Sequence, residues 1–336
     1  MEQKKPVSLV ITDIDNTIAD KFDTWGVALD TAMDKLAALY GRSREDISKD
    51  LLAGVPEDKK HISGPYIGKD LRSDIAHAPS LTPQTKEQAL ELEKILHEWD
   101  INKSKAILYD GVMATINKIK TSGAKLVLYT DSRESVCIPR LAKMGITADM
   151  IDALYAMPDT SKGKVIHKEI KGEAYKLREG LGDRMILLEP GAQKPNPAVM
   201  QRIINDMGIS DNASVVMVGD NVRADGTGAV TIGANYAWQK GGTDLSPTTI
   251  RCYEELNQEK EYKLTADEHY KQMNDSNRPT VILSQFMDLP KHFVFMSEEK
   301  LKALQTQKAK EEPKKTEQKT VSSQAVVNRA LMNRGR

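Results

Sequence analysis

The sequence predicts an α/β fold: a doubly wound, mainly parallel sheet with a helical domain inserted after its first strand. Short apolar, β-branched runs such as VSLVITD and SVVMVGD are typical of central parallel strands that are covered on both faces. Segments with helical periodicity alternate with these runs, as consecutive βα units require. One long helical stretch, residues 21–104, interrupts this alternation directly after the first run.

Composition limits the classes of function. The chain has 336 residues, which favours a core plus an accessory domain over one domain. Its 48 Lys and Arg balance 48 Asp and Glu, which argues against a protein that works mainly by binding nucleic acid or anionic membranes. No apolar run is long enough for a membrane span. Cys137 and Cys252 are far apart, which predicts neither a disulfide framework nor a zinc site and fits a reducing, cytoplasmic environment.

The two ends of the chain differ in charge. Residues 296–336 hold ten Lys and Arg but five Asp and Glu, and they are rich in Gln and nearly without aromatic residues. This composition predicts a disordered basic tail. If the chain contacts nucleic acid, this tail is the expected place. The default interpretation of the tail is a solvated linker. The sequence leaves the oligomeric state open.

The predicted insert, residues 21–104, is a series of helices. Asp23 is the predicted cap of the first helix and Gly41 its end. A Pro, Gly and His-rich loop covers residues 55–81, and Thr82 begins another predicted helix. Candidate substrate contacts in this domain are Trp25, His61, Lys69, Arg72 and His77. A surface loop and a core tryptophan explain the same residues without any ligand.

The predicted α/β core comprises residues 1–20 and 105–295. Its expected strands after the insert are 125–130, the runs IDALYAM and RMILLEP, 214–220, 233–238 and 279–284, with helices at 111–121, 133–144 and 197–207. Residues 160–182 are rich in Lys, Glu and Gly and predict an exposed helix or loop.

Two acidic residues end the first strand, where LVITDIDNT places Asp13 and Asp15 two positions apart. Positions i and i+2 of a strand share a face, so both carboxylates can project beyond its carboxyl end. Doubly wound sheets bind their ligands in that crevice. A turn built on Asp-Asn-Thr is the alternative for this motif alone.

Later strands deliver polar groups at the same edge. Thr130 ends the strand KLVLYT, and Asp220 ends VVMVGD with Asp225 five residues on. Lys194 lies in QKPNP, at the entry of a helix. Each has a simpler explanation: Thr130 and Asp225 as helix or turn caps, and Lys194 as a solvated lysine competing with Lys162 and Lys164.

Jointly, these motifs resemble the haloacid-dehalogenase-like (HAD) superfamily of phosphohydrolases. The segments LVITDIDNT, LVLYT, KPNP and VVMVGDNVRAD match all four of its motifs in order. The resemblance covers the core, reaches the insert through its position only, and does not include the tail. It implies a Rossmann-like fold with a cap domain over the active site. Asp15 departs from the dehalogenase pattern and points to phosphoryl transfer.

The resemblance also implies a Mg²⁺ site. Asp13 and Asp220 would contribute carboxylates, Asp15 a backbone carbonyl, and Asp225 or Asn221 an outer or water-mediated contact. Asn221 is in addition a candidate substrate contact. Mg²⁺ prefers oxygen ligands and suits a site of few carboxylates plus a substrate phosphate. The sequence holds no His and Cys cluster of the kind that binds zinc.

The roles implied for the remaining groups describe a phosphatase. Asp13 would attack phosphorus and form an aspartyl-phosphate, while Asp15 would act as general acid and then as general base. Thr130 would donate to a phosphoryl oxygen, and Lys194 would offset negative charge. The expected function is Mg²⁺-dependent hydrolysis of a small phosphorylated metabolite. A sugar phosphomutase of the same superfamily and a non-catalytic interaction module are the alternatives.

Overall fold

The fold centres on a parallel β-sheet. The structure is a computed structural model that describes residues 4–53, 71–105, 107–161, 164–256 and 266–307. Seven strands of these residues form the sheet, in the order β12-β11-β10-β2-β5-β6-β9. They are β2 (Leu9–Thr12), β5 (Lys125–Arg133), β6 (Ala153–Met157), β9 (Met185–Leu187), β10 (Val215–Gly219), β11 (Asn235–Gln239) and β12 (Val281–Leu283). All neighbours in the sheet are parallel, as the sequence predicts.

Strand order places β2 in the middle. The chain runs from β2 outward through β5, β6 and β9, and then returns to the other side of β2 with β10, β11 and β12. The switch point therefore lies between β2 and β10, where open α/β sheets form their ligand crevice. The residues that follow these two strands are Asp13 and Asp220.

Helices cover both faces of the sheet, each over its own apolar cluster. One face packs against α5 (Val112–Thr121), α6 (Glu134–Lys143), α7 (Gly172–Leu181) and α12 (Leu289–His292). The other packs against α8 (Pro197–Asp206), α9 (Thr227–Thr231) and α11 (Ala266–Gln272). Burial on two faces explains why the strands read as continuous apolar runs rather than as alternating ones.

The inserted segment forms a third apolar cluster. Its helices are α1 (Phe22–Tyr40), α2 (Arg44–Ala53), α3 (Leu71–Ala76) and α4 (Lys86–Lys103), with α1 packed against α4 and α2. Strands β3 (Ala19–Asp20) and β4 (Ile107–Leu108) pair antiparallel where the insert leaves and rejoins the core.

A helix from the second half of the chain completes this cluster. Helix α10 (Pro247–Leu256) packs against α1 and α2, and it buries Cys252 and Leu256 among the apolar residues of the insert. Gly26 permits the close contact, since a Cβ there would lie 2.1 Å from the Thr249 Oγ1 atom. The sequence assigned residues 105–295 wholly to the core, and for α10 this was wrong, because no local pattern marks the surface against which an amphipathic helix packs.

Two predictions about the insert's helix ends differ in outcome. Gly41 ends α1 in a left-handed conformation with φ 63°, as predicted. Asp23 does not cap α1, because the helix begins at Phe22 after Lys21. The carboxylate of Asp23 instead accepts hydrogen bonds from the backbone N–H and the hydroxyl of Ser246, both at 2.9 Å.

The first part of the predicted basic tail is more ordered than its composition predicts. Residues 298–307 form a helix, α13, so the prediction of disorder from residue 296 onward was wrong for this part. Leu301 is buried, and Glu298 accepts hydrogen bonds from Ser8 and Ser210. The buried Leu301 and the anchored Glu298 join this helix to the core, and a composition averaged over all 41 residues of the segment hides both contacts. Residues 308–336 lie outside the described part of the chain.

Residues 160–182, predicted as an exposed helix or loop, contain a hairpin and a helix. Strands β7 (Asp159–Ser161) and β8 (Lys164–Ile166) pair antiparallel, and α7 packs one apolar side against α6. Near the chain ends, β1 (Lys5–Val7) pairs with β13 (Phe293–Phe295) in a separate parallel ribbon. Both cysteines are buried and unpaired, and no described helix is long and apolar enough to span a bilayer.

Candidate active site

The switch point brings the predicted carboxylates together. Asp13 follows β2 and Asp220 follows β10. Asp225 lies in a π-helical turn, Val222–Gly226, that begins two residues after Asp220. One carboxylate oxygen from each lies within 4.8 Å of one from each of the others. Gly219 makes room for this arrangement, because a Cβ at that position would meet the Asp225 carboxylate at 2.1 Å.

Lys194 is the cation of this group. Its Nζ lies 2.7 Å from the Asp13 Oδ1 atom and 2.8 Å from the Asp225 Oδ1 atom. The lysine side chain is 5% exposed, and its Nζ lies over the Tyr129 ring at 5.4 Å from the centroid. Burial alone would lower the pKa of Lys194, but Asp13 and Asp225 hold that pKa well above its usual value. Of the two candidate lysines that the structure describes, Lys194 touches the carboxylates, whereas Lys164 is an exposed residue of β8.

The three carboxylates outnumber the single ammonium. Burial, and then the charge of Asp225 and Asp15, raise the pKa of Asp13 to about 6 although Lys194 opposes this. Burial and the neighbouring Asp13 and Asp225 raise the pKa of Asp220 well above its usual value. Three clustered carboxylates, of which those of Asp13 and Asp225 are buried, and one ammonium leave a formal charge of −2 when all are ionised. Closely spaced oxygen donors with this charge fit a hard divalent cation.

Asp15 has the opposite environment. Its Oδ2 atom accepts hydrogen bonds from Lys21 Nζ at 3.0 Å and from Ser132 Oγ at 2.8 Å, and its Oδ1 atom pairs with Arg140. Burial acts to raise the pKa of Asp15, but Lys21 and Arg140 together with Ser132 hold it well below its usual range. The two carboxylates thus differ in pKa because burial and neighbouring carboxylates outweigh one ammonium at Asp13, whereas two cations and a hydroxyl outweigh burial at Asp15.

Residues 130–132, in the last part of β5, hydrogen-bond to several groups of the site. The Ser132 backbone N–H donates to Thr130 Oγ1 at 3.0 Å, while the Ser132 hydroxyl reaches Asp15. Between them, Asp131 Oδ1 accepts from the Lys194 backbone N–H at 3.0 Å. Thr130 itself is 1% exposed. Residues 130–132 therefore connect the second predicted motif with both carboxylates of the first.

The turn after Asp15 is fixed by Asn16. Asn16 adopts a left-handed conformation with φ 58°, and its Oδ1 atom accepts from the backbone N–H groups of Lys21 and Phe22. Gly242 packs against this turn, since a Cβ there would lie 1.7 Å from the Asn16 carbonyl oxygen. This turn directs the chain into α1 and sets the position of Lys21.

Comparison with known proteins identifies the family of this chain. A sequence model described as hydrolase, haloacid dehalogenase-like hydrolase, matches residues 7–233, more than half of the chain. The chain belongs to the HAD-like hydrolases. Among curated proteins, no sequence matches this HAD-like hydrolase.

Solved structures of the same family are similar to this HAD-like hydrolase at low sequence identity. A HAD phosphatase from Thermococcus onnurineus is 18% identical with a TM-score of 0.43, and the alignment covers 85% of this chain and 97% of that one. A 2-haloacid dehalogenase from Pseudomonas syringae is 16% identical with a TM-score of 0.42, over 85% and 97%. The putative HAD-hydrolase YfnB from Bacillus subtilis, bound to magnesium, is 14% identical with a TM-score of 0.44, over 85% and 98%.

The substrate residues predicted in the insert, where the structure describes them, have partners within the insert itself. Trp25 packs against the apolar cluster of the insert, and Arg72 pairs with Glu93 at 2.7 Å. His77 Nδ1 lies 2.7 Å from the Ser73 carbonyl oxygen. These contacts fit structural roles for Trp25, Arg72 and His77. His61, Lys69 and Lys162 lie outside the described residues.

Asn221 has a local role at the fourth HAD motif. Its Oδ1 atom accepts from the backbone N–H groups of Arg223 and Ala224, so the side-chain oxygen caps the π-helical turn that carries Asp225. The Asn221 backbone N–H in turn donates to the Asp225 Oδ2 atom at 3.1 Å. Asn221 therefore positions Asp225, and its predicted contact with a substrate remains a prediction.

Sequence reasoning missed the donors around Asp15. Ser132 had a usable signal, because it lies two residues after Thr130 and so at a similar strand position. Lys21 and Arg140 had no such signal in the sequence. Lys21 ends the turn before α1, and Arg140 lies in the last turn of α6. Only the tertiary structure brings both to Asp15.

Proposed function

We propose that this HAD-like hydrolase is a Mg²⁺-dependent phosphatase that cleaves a phosphate monoester through an aspartyl-phosphate on Asp13. The observation that supports this best is the contact of one buried ammonium, Lys194, with two of three clustered carboxylates. A structural ion pair needs one partner. A surplus of buried carboxylates is typical of a site that takes up a cation.

Charge explains why these groups would act together. A carboxylate that approaches a phosphate at about 4 Å meets a repulsion of roughly 4 kcal/mol per unit-charge pair at an effective dielectric near 20. Lys194, in contact with Asp13, would offset part of this repulsion on the attacking side. Oxygens of Asp13, Asp220 and Asp225 would hold Mg²⁺, which supplies charge neutralisation and orientation of the phosphoryl oxygens. Thr130, buried beside the first motif, would donate its hydroxyl to a phosphoryl oxygen.

Asp15 would move the protons. As a carboxylate it suits the second step, in which a base removes a proton from the water that attacks the aspartyl-phosphate. The first step needs a protonated Asp15 to donate to the leaving oxygen. Because Lys21 and Arg140 hold the pKa of Asp15 low, this step requires that at least one of these cations separates from Asp15.

Replacement of Asp13 tests the proposal. The Asp13→Asn variant should lose hydrolysis of 4-nitrophenyl phosphate in MgCl₂ while its circular dichroism spectrum stays unchanged. The matched control is Asp149→Asn, which removes an exposed carboxylate that contacts Thr147, and it should retain wild-type turnover. Chelation with EDTA should stop the wild type, and added Mg²⁺ should restore it. Retained turnover in Asp13→Asn, or full activity in EDTA, would exclude this mechanism.

A further inference from the structure

We propose that Lys21 and Arg140 form a subsite for a second anionic group on the leaving-group side of the substrate. This inference rests on the proposed phosphatase function and adds a substrate class to it. The class is phosphate monoesters that carry a carboxylate or a second phosphate a few bonds from the ester oxygen.

The first support is the number of cations at Asp15. Lys21 comes from the turn before α1, Arg140 from the end of α6, and Ser132 adds a hydroxyl. Among the residues that the structure describes, Asp15 is the ionic partner of both Lys21 and Arg140. Two cations therefore share one carboxylate. A guanidinium has five N–H donors and an ammonium three, so Asp15 leaves most of these donors available to a ligand.

The second support is the position of these cations relative to the reaction. Lys194 touches Asp13, the proposed nucleophile, and so serves the phosphoryl group on the attacking side. Lys21 and Arg140 touch Asp15, which by its proposed role faces the leaving oxygen. In an in-line displacement these are opposite sides of phosphorus. The second pair of cations thus flanks the part of the substrate that differs from one phosphate monoester to another.

Partial exposure is the third support. The Lys21 side chain is 40% exposed and that of Arg140 is 18% exposed, whereas that of Lys194 is 5% exposed. Their exposure leaves Lys21 and Arg140 accessible to a group that enters from solvent. An Arg fork with an adjacent Lys can bind a carboxylate or a phosphate through two parallel N–H bonds.

Carboxylates lie elsewhere around the site and define a competing possibility. Asp20, Asp23 and Asp244 lie near Tyr109. Burial raises the pKa of the Tyr109 hydroxyl most, and the negative charges of these carboxylates raise it further. A substrate with an ammonium group would favour these residues. The sign of the preferred group on the leaving side therefore decides which residues select the substrate.

The test compares substrates that share a three-carbon chain. They are propyl phosphate, 3-phosphooxypropanoate, propane-1,3-diyl bisphosphate and 3-aminopropyl phosphate, each assayed by phosphate release with MgCl₂. For the wild type we expect kcat/KM to be at least about tenfold higher for the carboxylate or the bisphosphate than for propyl phosphate. Comparison of the two anionic substrates distinguishes a carboxylate from a phosphate as the natural group.

The variants are Arg140→Met, Arg140→Lys and, as a control on the same helix, Lys143→Met. Lys143 contacts Ser104 and has no part in the site. Arg140→Met should reduce the ratio of kcat/KM, anionic over propyl substrate, towards one, mainly through KM. Arg140→Lys should keep part of the ratio, and Lys143→Met all of it. Because both substrates are measured on the same variant, any effect of Arg140 on Asp15 cancels in the ratio.

Three results would overturn the inference. They are a wild-type ratio near one, a ratio that Arg140→Met leaves unchanged, and a preference for 3-aminopropyl phosphate. The second would make Arg140 a positioning residue for Asp15 that acts equally on all substrates. If none of the four esters nor 4-nitrophenyl phosphate releases phosphate, the proposed function itself fails, so the two failures are distinguishable.

Discussion

Asp13 and Asp15 should respond to the same substitution with opposite changes in stability. Asparagine resembles a protonated aspartate in shape and charge. An Asp→Asn substitution therefore measures how much the negative charge adds to, or takes from, the free energy of unfolding. In metal-free protein at pH 7.5 we expect Asp13→Asn to be more stable than the wild type, since burial and neighbouring carboxylates disfavour the charge. We expect Asp15→Asn to be less stable, since Lys21, Arg140 and Ser132 favour it.

The magnitude for Asp13 follows from its pKa. A rise from 3.8 to about 6 corresponds to about 3 kcal/mol at pH 7.5, at about 1.4 kcal/mol per pH unit. Because the folded-state pKa is raised, the stabilising protonation is complete below about pH 4 and is lost as the pH rises through about 6. The advantage of Asp13→Asn should therefore shrink to about 1 kcal/mol at pH 4.5. For Asp15→Asn, loss of partly buried ion pairs predicts a destabilisation of about 2–4 kcal/mol at pH 7.5.

Urea denaturation followed by circular dichroism measures both effects, in EDTA at pH 7.5 and 4.5. Adding Mg²⁺ should stabilise the wild type in proportion to its binding and should stabilise Asp13→Asn much less, because one ligand is neutral. A less stable Asp13→Asn protein at pH 7.5 without metal would refute the electrostatic reasoning. So would an advantage that does not decrease between pH 7.5 and 4.5.

Three further substitutions test other parts of the structure. Lys194→Met should lower kcat at least about 100-fold in a phosphatase assay. In urea denaturation it should destabilise the metal-free protein by about 3–5 kcal/mol. The control is Lys176→Met, which removes an exposed ion pair with Glu173 and should cost at most about 1 kcal/mol. Gly26→Ala should lower stability by about 1–3 kcal/mol or more, because its Cβ would overlap Thr249 between α1 and α10, and a thermal melt at or above the wild-type midpoint would contradict this contact. Leu301→Ala should cost about 2–4 kcal/mol in urea if α13 packs as described, and an unchanged midpoint would show that it does not.

The strand-end residues were predictable because their signal is local. A buried parallel strand reads as an apolar run, and its carboxyl end is marked by the first charged residue, as at Asp13 and Asp220. All parallel strands of one sheet end at one edge, so polar residues at several such ends are expected to converge without knowledge of the connections. Lys194 was harder, but the helix entry at Pro197 restricted its place.

The partners of these residues were not predictable, because they depend on packing between distant segments. Arg140 is one of several basic residues on an amphipathic helix, and its sequence context resembles that of Lys143. Helix α10 packs against α1 and α2 of the insert, and its close contact at Gly26 and Thr249 joins residues more than 200 positions apart.

The opposite pKa changes of Asp13 and Asp15 have a consequence for turnover. The nucleophile must be ionised and the general acid protonated, yet without ligands burial favours a proton on Asp13, while Lys21 and Arg140 keep Asp15 ionised. Binding of a divalent cation to Asp13, Asp220 and Asp225 would lower the pKa of Asp13. A leaving-group anion that draws Lys21 or Arg140 from Asp15 would raise the pKa of Asp15. Metal would then hold Asp13 in its ionised form and the substrate anion would permit protonation of Asp15, so the site is expected to become active only when both are bound.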